Sequence, residues 1–238
     1  MNTRNDEINA DFTGETVMSQ KTIIAASLRA ADFANLGKES HNVLSAGADV
    51  IHFDVLDYHI APEVTFGSHV CASLRKYGIK EEINVHLMVA DPIKYIAAYA
   101  KAGVNCLIFH PETVTNVKDV CDKIHAAGMQ AGFAFNPDRS FSIAPELLSS
   151  IEMMLIMGVF SKSDGKEFAN NSLEKIRSAK QLIEESMQKI MLGVDGGINK
   201  DNIRSVVDVG ANFIAMGSAL FDSDNYSKYI KQLRKEIE

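Results

Sequence analysis

His52 and Asp54 stand two residues apart inside an otherwise apolar run. Side chains at that spacing share one face of an extended strand, so an imidazole and a carboxylate project together. Polar groups of similar kind stand late in, or just after, other apolar runs: His86, His110, Asn136 and Asp195. Such groups are costly to bury without partners. Two imidazoles and two carboxylates, His52, Asp54, His86 and Asp195, make a mixed nitrogen and oxygen ligand set. It suits zinc, iron, manganese or cobalt(II) better than magnesium or calcium. A single histidine of this kind is more often structural, but four suitable groups at run ends point to a metal site. His41, His69 and His125 fall on helix-like stretches and are read as surface residues.

Two turns add a second kind of chemistry. Asp195-Gly196-Gly197-Ile198-Asn199 and Met216-Gly217-Ser218-Ala219 each lie between an apolar run and a helical stretch. Backbone N–H groups at such turns can hold a phosphate without any positive side chain. One Gly-Gly pair is usually only a tight turn. Two turns after the last two runs make a phosphate cradle at Gly196, Gly197, Gly217 and Ser218 the expectation.

The elements that must position these groups repeat from residue 21 onward. Apolar runs at 22–27, 49–55, 83–88, 105–110, 130–135, 153–157, 189–195 and 212–217 alternate with amphipathic stretches of helical period. The stretches are predicted at 32–46, from 66 to about 77, 91–103, 114–127, near 143–150, 173–187, from about 200, and to the end of the chain. Alternation of this kind means parallel strands joined by right-handed crossovers. Near-continuous apolar runs mean strands covered on both faces. An open doubly wound sheet would satisfy both conditions. The count of eight favours a closed (β/α)8 TIM barrel, in which chemistry sits at the C-terminal ends of the strands. The polar groups above fall at those ends.

The bulk composition fits one such domain. The 238 residues are 46% hydrophobic, enough for one substantial core. The net charge of −7 argues against a nucleic-acid partner, because phosphate backbones need a basic face. Cys71, Cys106 and Cys121 show no close pairing and are read as free thiols in a reducing compartment. Residues 1–20 are polar, with no apolar segment of signal-peptide length, and are read as an extension to a barrel over 21–238. A cytoplasmic protein without membrane contact is expected. The charge leaves room for a small phosphorylated partner, and further copies of the chain in a homo-oligomer are expected.

Several segments, in order, resemble the ribulose-phosphate 3-epimerase family over residues 22–234. They include Ile24-Ala25-Ala26-Ser27 with Ala31-Asp32-Phe33, then His52-Phe53-Asp54-Val55-Leu56-Asp57 with His59 and Pro62. Val85-His86-Leu87-Met88-Val89, His110-Pro111-Glu112, Asn136-Pro137, Val194-Asp195-Gly196-Gly197-Ile198-Asn199 and Gly217-Ser218-Ala219-Leu220-Phe221 follow. The resemblance implies a ribulose-phosphate-binding barrel and epimerisation at carbon three of a ketose phosphate through a cis-enediolate. It implies one divalent metal on His52, Asp54, His86 and Asp195, no organic cofactor, and Asp54 and Asp195 as the acid/base pair. It also implies substrate contacts from Ser27, Met88, Met157, Gly165, Gly196, Gly197, Gly217 and Ser218.

Departures from the family pattern stand beside it. Leu56, Tyr58 and Glu63 occupy positions where methionine, glycine and asparagine are usual, and Ser161-Lys162-Ser163-Asp164-Gly165-Lys166 replaces a glycine-rich closing loop. Lys162 or Lys166 could meet the phosphate by charge, or both could be solvated. The altered loop leaves room for a hexulose phosphate such as allulose 6-phosphate, to which His110-Pro111-Glu112 also points, or for a non-catalytic sugar-phosphate-binding barrel. Related decarboxylases and aldolases carry an Asp-x-Lys-x-x-Asp strand end. Neither His52-Phe53-Asp54-Val55-Leu56-Asp57 nor His86-Leu87-Met88-Val89-Ala90-Asp91 has its lysine.

Overall fold

All eight apolar runs form strands in the computed structural model, which describes residues 21–137, 143–159, 168 and 171–238. They are β1 (Ile23–Ser27), β2 (Val50–Leu56), β3 (Glu82–Met88), β4 (Cys106–Phe109), β5 (Gln130–Phe135), β6 (Met153–Met157), β7 (Met191–Asp195) and β8 (Phe213–Met216). Each pairs in parallel with the next, and β8 returns to β1, so the sheet is a closed barrel. The helices are α1 (Leu36–Ser45), α2 (Ser68–Tyr77), α3 (Ile96–Lys101), α4 (Val117–Ala126), α5 (Ser172–Ser186), α6 (Ile203–Asp208), α7 (Ser218–Phe221) and α8 (Tyr226–Ile237). The fold is therefore the (β/α)8 barrel expected from the alternation.

Three predicted helices are tighter than expected, that at 91–103 opening with the 3-10 turn Pro92–Tyr95. The stretch near 143–150 is a 3-10 helix, Pro145–Ser150. An i→i+3 bond from Leu147 N–H to Ala144 O, 2.9 Å, holds the turn. The stretch from residue 32 opens with the 3-10 turn Phe33–Asn35, where the Asp32 side chain accepts from Ala34 N–H at 2.9 Å. Regular α-helix begins only at Leu36.

Strand alternation divides the core into two layers. Outward residues such as Ile51, Phe53 and Val55 pack with the helices. Inward residues Ala25, Val50, Ile108, Met153, Leu155 and Phe213 belong to a separate buried cluster inside the barrel. The interior is full: a Cβ on Gly193 would lie 2.8 Å from Leu155 Cδ1. This packed plug forms the floor on which the polar groups stand. Cys71, Cys106 and Cys121 are free and buried. His41, His69 and His125 lie exposed on α1, α2 and α4, as expected.

The opposite end is fastened by Asp49, just before β2. Its carboxylate accepts from Ile24 N–H at 2.8 Å and Lys21 Nζ at 2.6 Å, and pairs with Arg234 of α8. Burial alone would raise the Asp49 pKa, but these three donors hold it below the ordinary carboxylate value. The chain's first described strand and its last helix thus meet at one carboxylate.

Asp49→Asn is expected to destabilise the fold by about 1–3 kcal/mol, the cost of weakening charged hydrogen bonds at a partly buried group. Urea unfolding as a function of pH checks this. A depressed folded-state pKa contributes stability above the unfolded value and loses it as pH falls through the folded value. The gap between wild type and variant should therefore be full near neutrality and close below about pH 4.

Candidate active site

His52, Asp54, His86 and Asp195 converge at the C-terminal mouth of the barrel, all buried, each offering one donor atom within 4.8 Å of the other three. Register explains the convergence. Asp54 lies directly across from His86 on β3, and His52 across from Ser27 on β1. Asp195 ends β7, on the other side of the mouth. The atoms face one another: His86 Nδ1 lies 3.2 Å from Asp54 Oδ1 and 3.7 Å from Asp195 Oδ2. His52 Nε2 lies 3.5 Å from Asp54 Oδ1 and 4.0 Å from Asp195 Oδ2.

The set fits a divalent ion. Metal–ligand bonds of about 2.0–2.2 Å separate adjacent donors by roughly 3–3.5 Å, close to these spacings. Both ring nitrogens of His52 are buried without a hydrogen-bond partner among the described residues. A buried imidazole is not normally left so, and a cation in the cluster would supply the missing partner.

The two carboxylates are displaced in opposite directions. Burial works to raise the Asp54 pKa, but the imidazoles of His52 and His86 more than offset it and hold Asp54 well below the usual range. Asp195 is raised, by burial and then by the negative charge of Asp54, with only part returned by His86. His86 is lifted to about 9: burial opposes its charge, but Asp195 and Asp54 outweigh that.

Behind the cluster runs a second tier. His86 Nε2 lies 2.9 Å from His110 Nε2. His110 Nδ1 lies 3.6 Å from Glu112 Oε1, and the Asn136 amide donates to the same oxygen at 3.3 Å. With a cation in the cluster, one proton assignment would serve both rings: His86 Nε2–H donates to His110, His110 Nδ1–H points toward Glu112, and His86 Nδ1 offers its lone pair to the cation. His110 and Asn136, noted in the sequence as strand-end polar groups and as parts of family segments, stand behind His86 in this tier. Glu112 was visible only as part of a motif.

The mouth opens into a cavity of about 430 Å³. Ser27, Met88, Met157, Gly196, Gly197, Gly217 and Ser218 all line it with Asp54 and Asp195, so the expected substrate contacts share one space. Ser27 Oγ also donates to Asp54 Oδ2 at 2.6 Å. Gly196 and Gly197 have φ of +94° and +71°, a backbone that favours glycine. A Cβ on Gly196 would lie 2.5 Å from Val159 Cγ2, and one on Gly197 3.0 Å from the Phe168 backbone. Their N–H groups find no acceptor among the described residues. Gly165, Lys162 and Lys166 lie outside the described residues.

Arg29 and Glu63 also line the cavity, an association that no sequence signal announced. Arg29 Nε and Nη2 donate to Glu63 Oε2 at 3.1 and 2.5 Å. Glu63, one of the departures noted above, thus has its partner on the neighbouring rim. An arginine two residues beyond a strand-end serine was the only hint, and nothing in the spacing tied it to a glutamate 34 residues later.

A closed parallel barrel with a buried imidazole–carboxylate cluster and a glycine-lined cavity at its mouth defines a (β/α)8-barrel enzyme. Comparison narrows this class. Residues 23–221 match the Ribulose-phosphate 3 epimerase family. The chain is 41% identical over 209 residues to a ribulose-phosphate 3-epimerase of Serratia marcescens, covering 88% of this chain and 100% of that protein. It is 39% identical over 215 residues to the ribulose-phosphate 3-epimerase of Escherichia coli K12, covering 90% and 96%. Among solved structures, KGPDC from Streptococcus mutans superposes with a TM-score of 0.69 at 16% identity, covering 92% of this chain and 98% of that one, a likeness of fold alone. The chain belongs to the ribulose-phosphate 3-epimerase family and is an isomerase acting on carbohydrates. No helix among the described residues is long and apolar enough to cross a membrane.

His110→Phe keeps the ring volume but removes the acceptor for His86. It is expected to weaken divalent-metal binding by about 10–100-fold, the usual cost of losing a partner that orients a ligand. Competition with a chromophoric chelator measures it.

Proposed function

We propose that the protein interconverts ribulose 5-phosphate and its carbon-three epimer by moving a proton between two aspartates across a divalent-metal site. The observation that carries this reading is the pair Asp54 and Asp195, which face one cluster and one cavity from different strands; their pKa values are displaced in opposite directions. Two carboxyl groups pushed apart in this way can serve as base and acid at the same pH.

Asp54, kept ionised by His52 and His86, accepts the carbon-three proton. Asp195, the carboxyl more ready to hold a proton, delivers one to the opposite face. In the reverse direction the two exchange roles. Ser27 fixes the Asp54 carboxylate by donating to its second oxygen. Met88 and Met157 line the cavity beside the two aspartates and would keep water from the enediolate. The N–H groups of Gly196, Gly197, Gly217 and Ser218 would receive the phosphate. A zinc, iron(II), manganese or cobalt ion on His52, Asp54, His86 and Asp195 would supply Lewis-acid stabilisation for negative charge on the substrate oxygens. No organic cofactor is required for proton transfer of this kind.

A five-carbon substrate is favoured over a hexulose phosphate. In the segment His110-Pro111-Glu112, which also fits a six-carbon reading, His110 meets His86 and Glu112 meets Asn136, and none of the three is among the described lining residues of the cavity.

Solvent-deuterium exchange followed by NMR tests the two-base scheme. With metal supplied, wild type should place deuterium at carbon three of ribulose 5-phosphate. Asp195→Asn and Asp54→Asn should each lose about 10²–10⁴-fold in epimerisation. Each should still exchange the proton of the one epimer whose base remains. Undiminished epimerisation by Asp195→Asn, or no exchange by wild type on any ketose phosphate, would refute the scheme.

A further inference from the structure

The charges on the described lining of the cavity are unbalanced. Asp54, Glu63, Asp195 and Asp222 line it, and Arg29 is the only lysine or arginine among its described lining residues. Asp54 and Asp195 would be committed to the metal cluster, and Glu63 is paired with Arg29, which leaves Asp222 facing whatever enters. A phosphorylated sugar would bring up to two further negative charges into this space. Neutral backbone N–H groups can orient a phosphate but do not cancel that repulsion.

Arg29 is placed to do so. It stands two residues past Ser27 at the end of β1, between the glycine turn after β8 and the loop after β2. Its neighbour Ala30 is adjacent to that turn: a Cβ on Gly217 would lie 3.3 Å from Ala30 Cβ. The guanidinium spends two donors on a single oxygen, Glu63 Oε2, and its Nη1 has no acceptor among the described residues. Its side chain is about one-third exposed, at 34%. Glu63 holds the fork at the rim without consuming it.

We infer that Arg29 is a substrate-binding residue for the anionic group of the ketose phosphate, pre-positioned by Glu63, and that it sets the preference for phosphorylated over unphosphorylated sugar. The inference rests on the phosphorylated substrate proposed above. A guanidinium fork matches phosphate oxygens better than an ammonium does.

The test uses Arg29→Met, Arg29→Lys and Glu63→Gln in the full chain, with inorganic phosphate and ribulose 5-phosphate as probes. Arg29→Met should raise KM for ribulose 5-phosphate by about tenfold or more, the scale of one charged hydrogen bond, with a smaller fall in kcat. Calorimetric binding of inorganic phosphate should weaken in parallel. Arg29→Lys should recover only part of either loss. Glu63→Gln removes the competing charge, keeps an acceptor oxygen, and should tighten phosphate binding several-fold. Unchanged KM and phosphate affinity in a folded Arg29→Met, or weaker phosphate binding in Glu63→Gln, overturns the inference while leaving the epimerase reading intact. Arg29-dependent phosphate binding by a protein that exchanges no ketose phosphate would sink that reading and keep this one.

Discussion

Everything at the mouth depends on how four ionisable groups survive burial together. An isolated carboxylate or imidazolium moved into a barrel interior would shift its pKa until it became neutral. Here the imidazoles of His52 and His86 hold Asp54 ionised, Asp54 raises its neighbour Asp195, and both carboxylates keep His86 basic. The arrangement is self-consistent only because β2, β3 and β7 present these side chains at one height. A one-residue slip of β2 against β3 would turn His52 and Asp54 into the helix layer and bring Ile51, Phe53 and Val55 inward. The packed interior of Phe213, Leu155 and Met153 prevents such a slip. The edge of Phe213 also packs against the His52 ring, with centroids 6.1 Å apart. Apolar packing below and electrostatics above are thus one constraint.

The second tier follows from the first. An imidazole that is to hold a cation must present the correct nitrogen, and His86 would present Nδ1 because its Nε2 lies against His110. Glu112 and Asn136 extend that control to the loop after β5. There Lys175 of α5 donates to the Asn136 and Pro137 carbonyls at 2.6 and 3.0 Å. Helix α5 is tied in this way to the strand ends on which the cluster stands.

How much of this the sequence disclosed depends on the range of each signal. Alternation of apolar runs with helical stretches is local, so all eight strands and the closed barrel were legible. The cluster was legible for the same reason. His52 and Asp54 reveal a shared face by their spacing, and His86 and Asp195 are costly groups in runs that are otherwise apolar. The turns at Gly196, Gly197, Gly217 and Ser218 were found by position after a strand. What stayed hidden was long-range pairing between residues that are unremarkable alone. His110 could be placed at a strand end, but its contact with His86 needed the register of β3 against β4. Arg29 and Glu63 lie on separate loops, and no periodicity links them. Helix type was also beyond local pattern at 145–150, where apolar spacing suits a 3-10 turn and a short α-helix equally.

The departures from the family pattern become coherent once placed in space, because three of them belong to one piece of the rim. Leu56 packs in a small buried cluster with Ala61 and Met88 beneath the loop after β2. Tyr58, where glycine is usual, keeps a left-handed backbone with φ of +75° and an exposed side chain. A residue with a Cβ gives up roughly 1–2 kcal/mol to hold that conformation. Tyr58 N–H donates to Glu63 O at 3.0 Å, and Asp57 bridges to Val64, so the loop folds back on itself and presents the Glu63 carboxylate toward Arg29. The loop retains the backbone course that a glycine would favour while its side chains change. None of these substitutions touches His52, Asp54, His86 or Asp195. Variation in this chain has therefore fallen on the loop after β2 and left the four residues of the cluster in place.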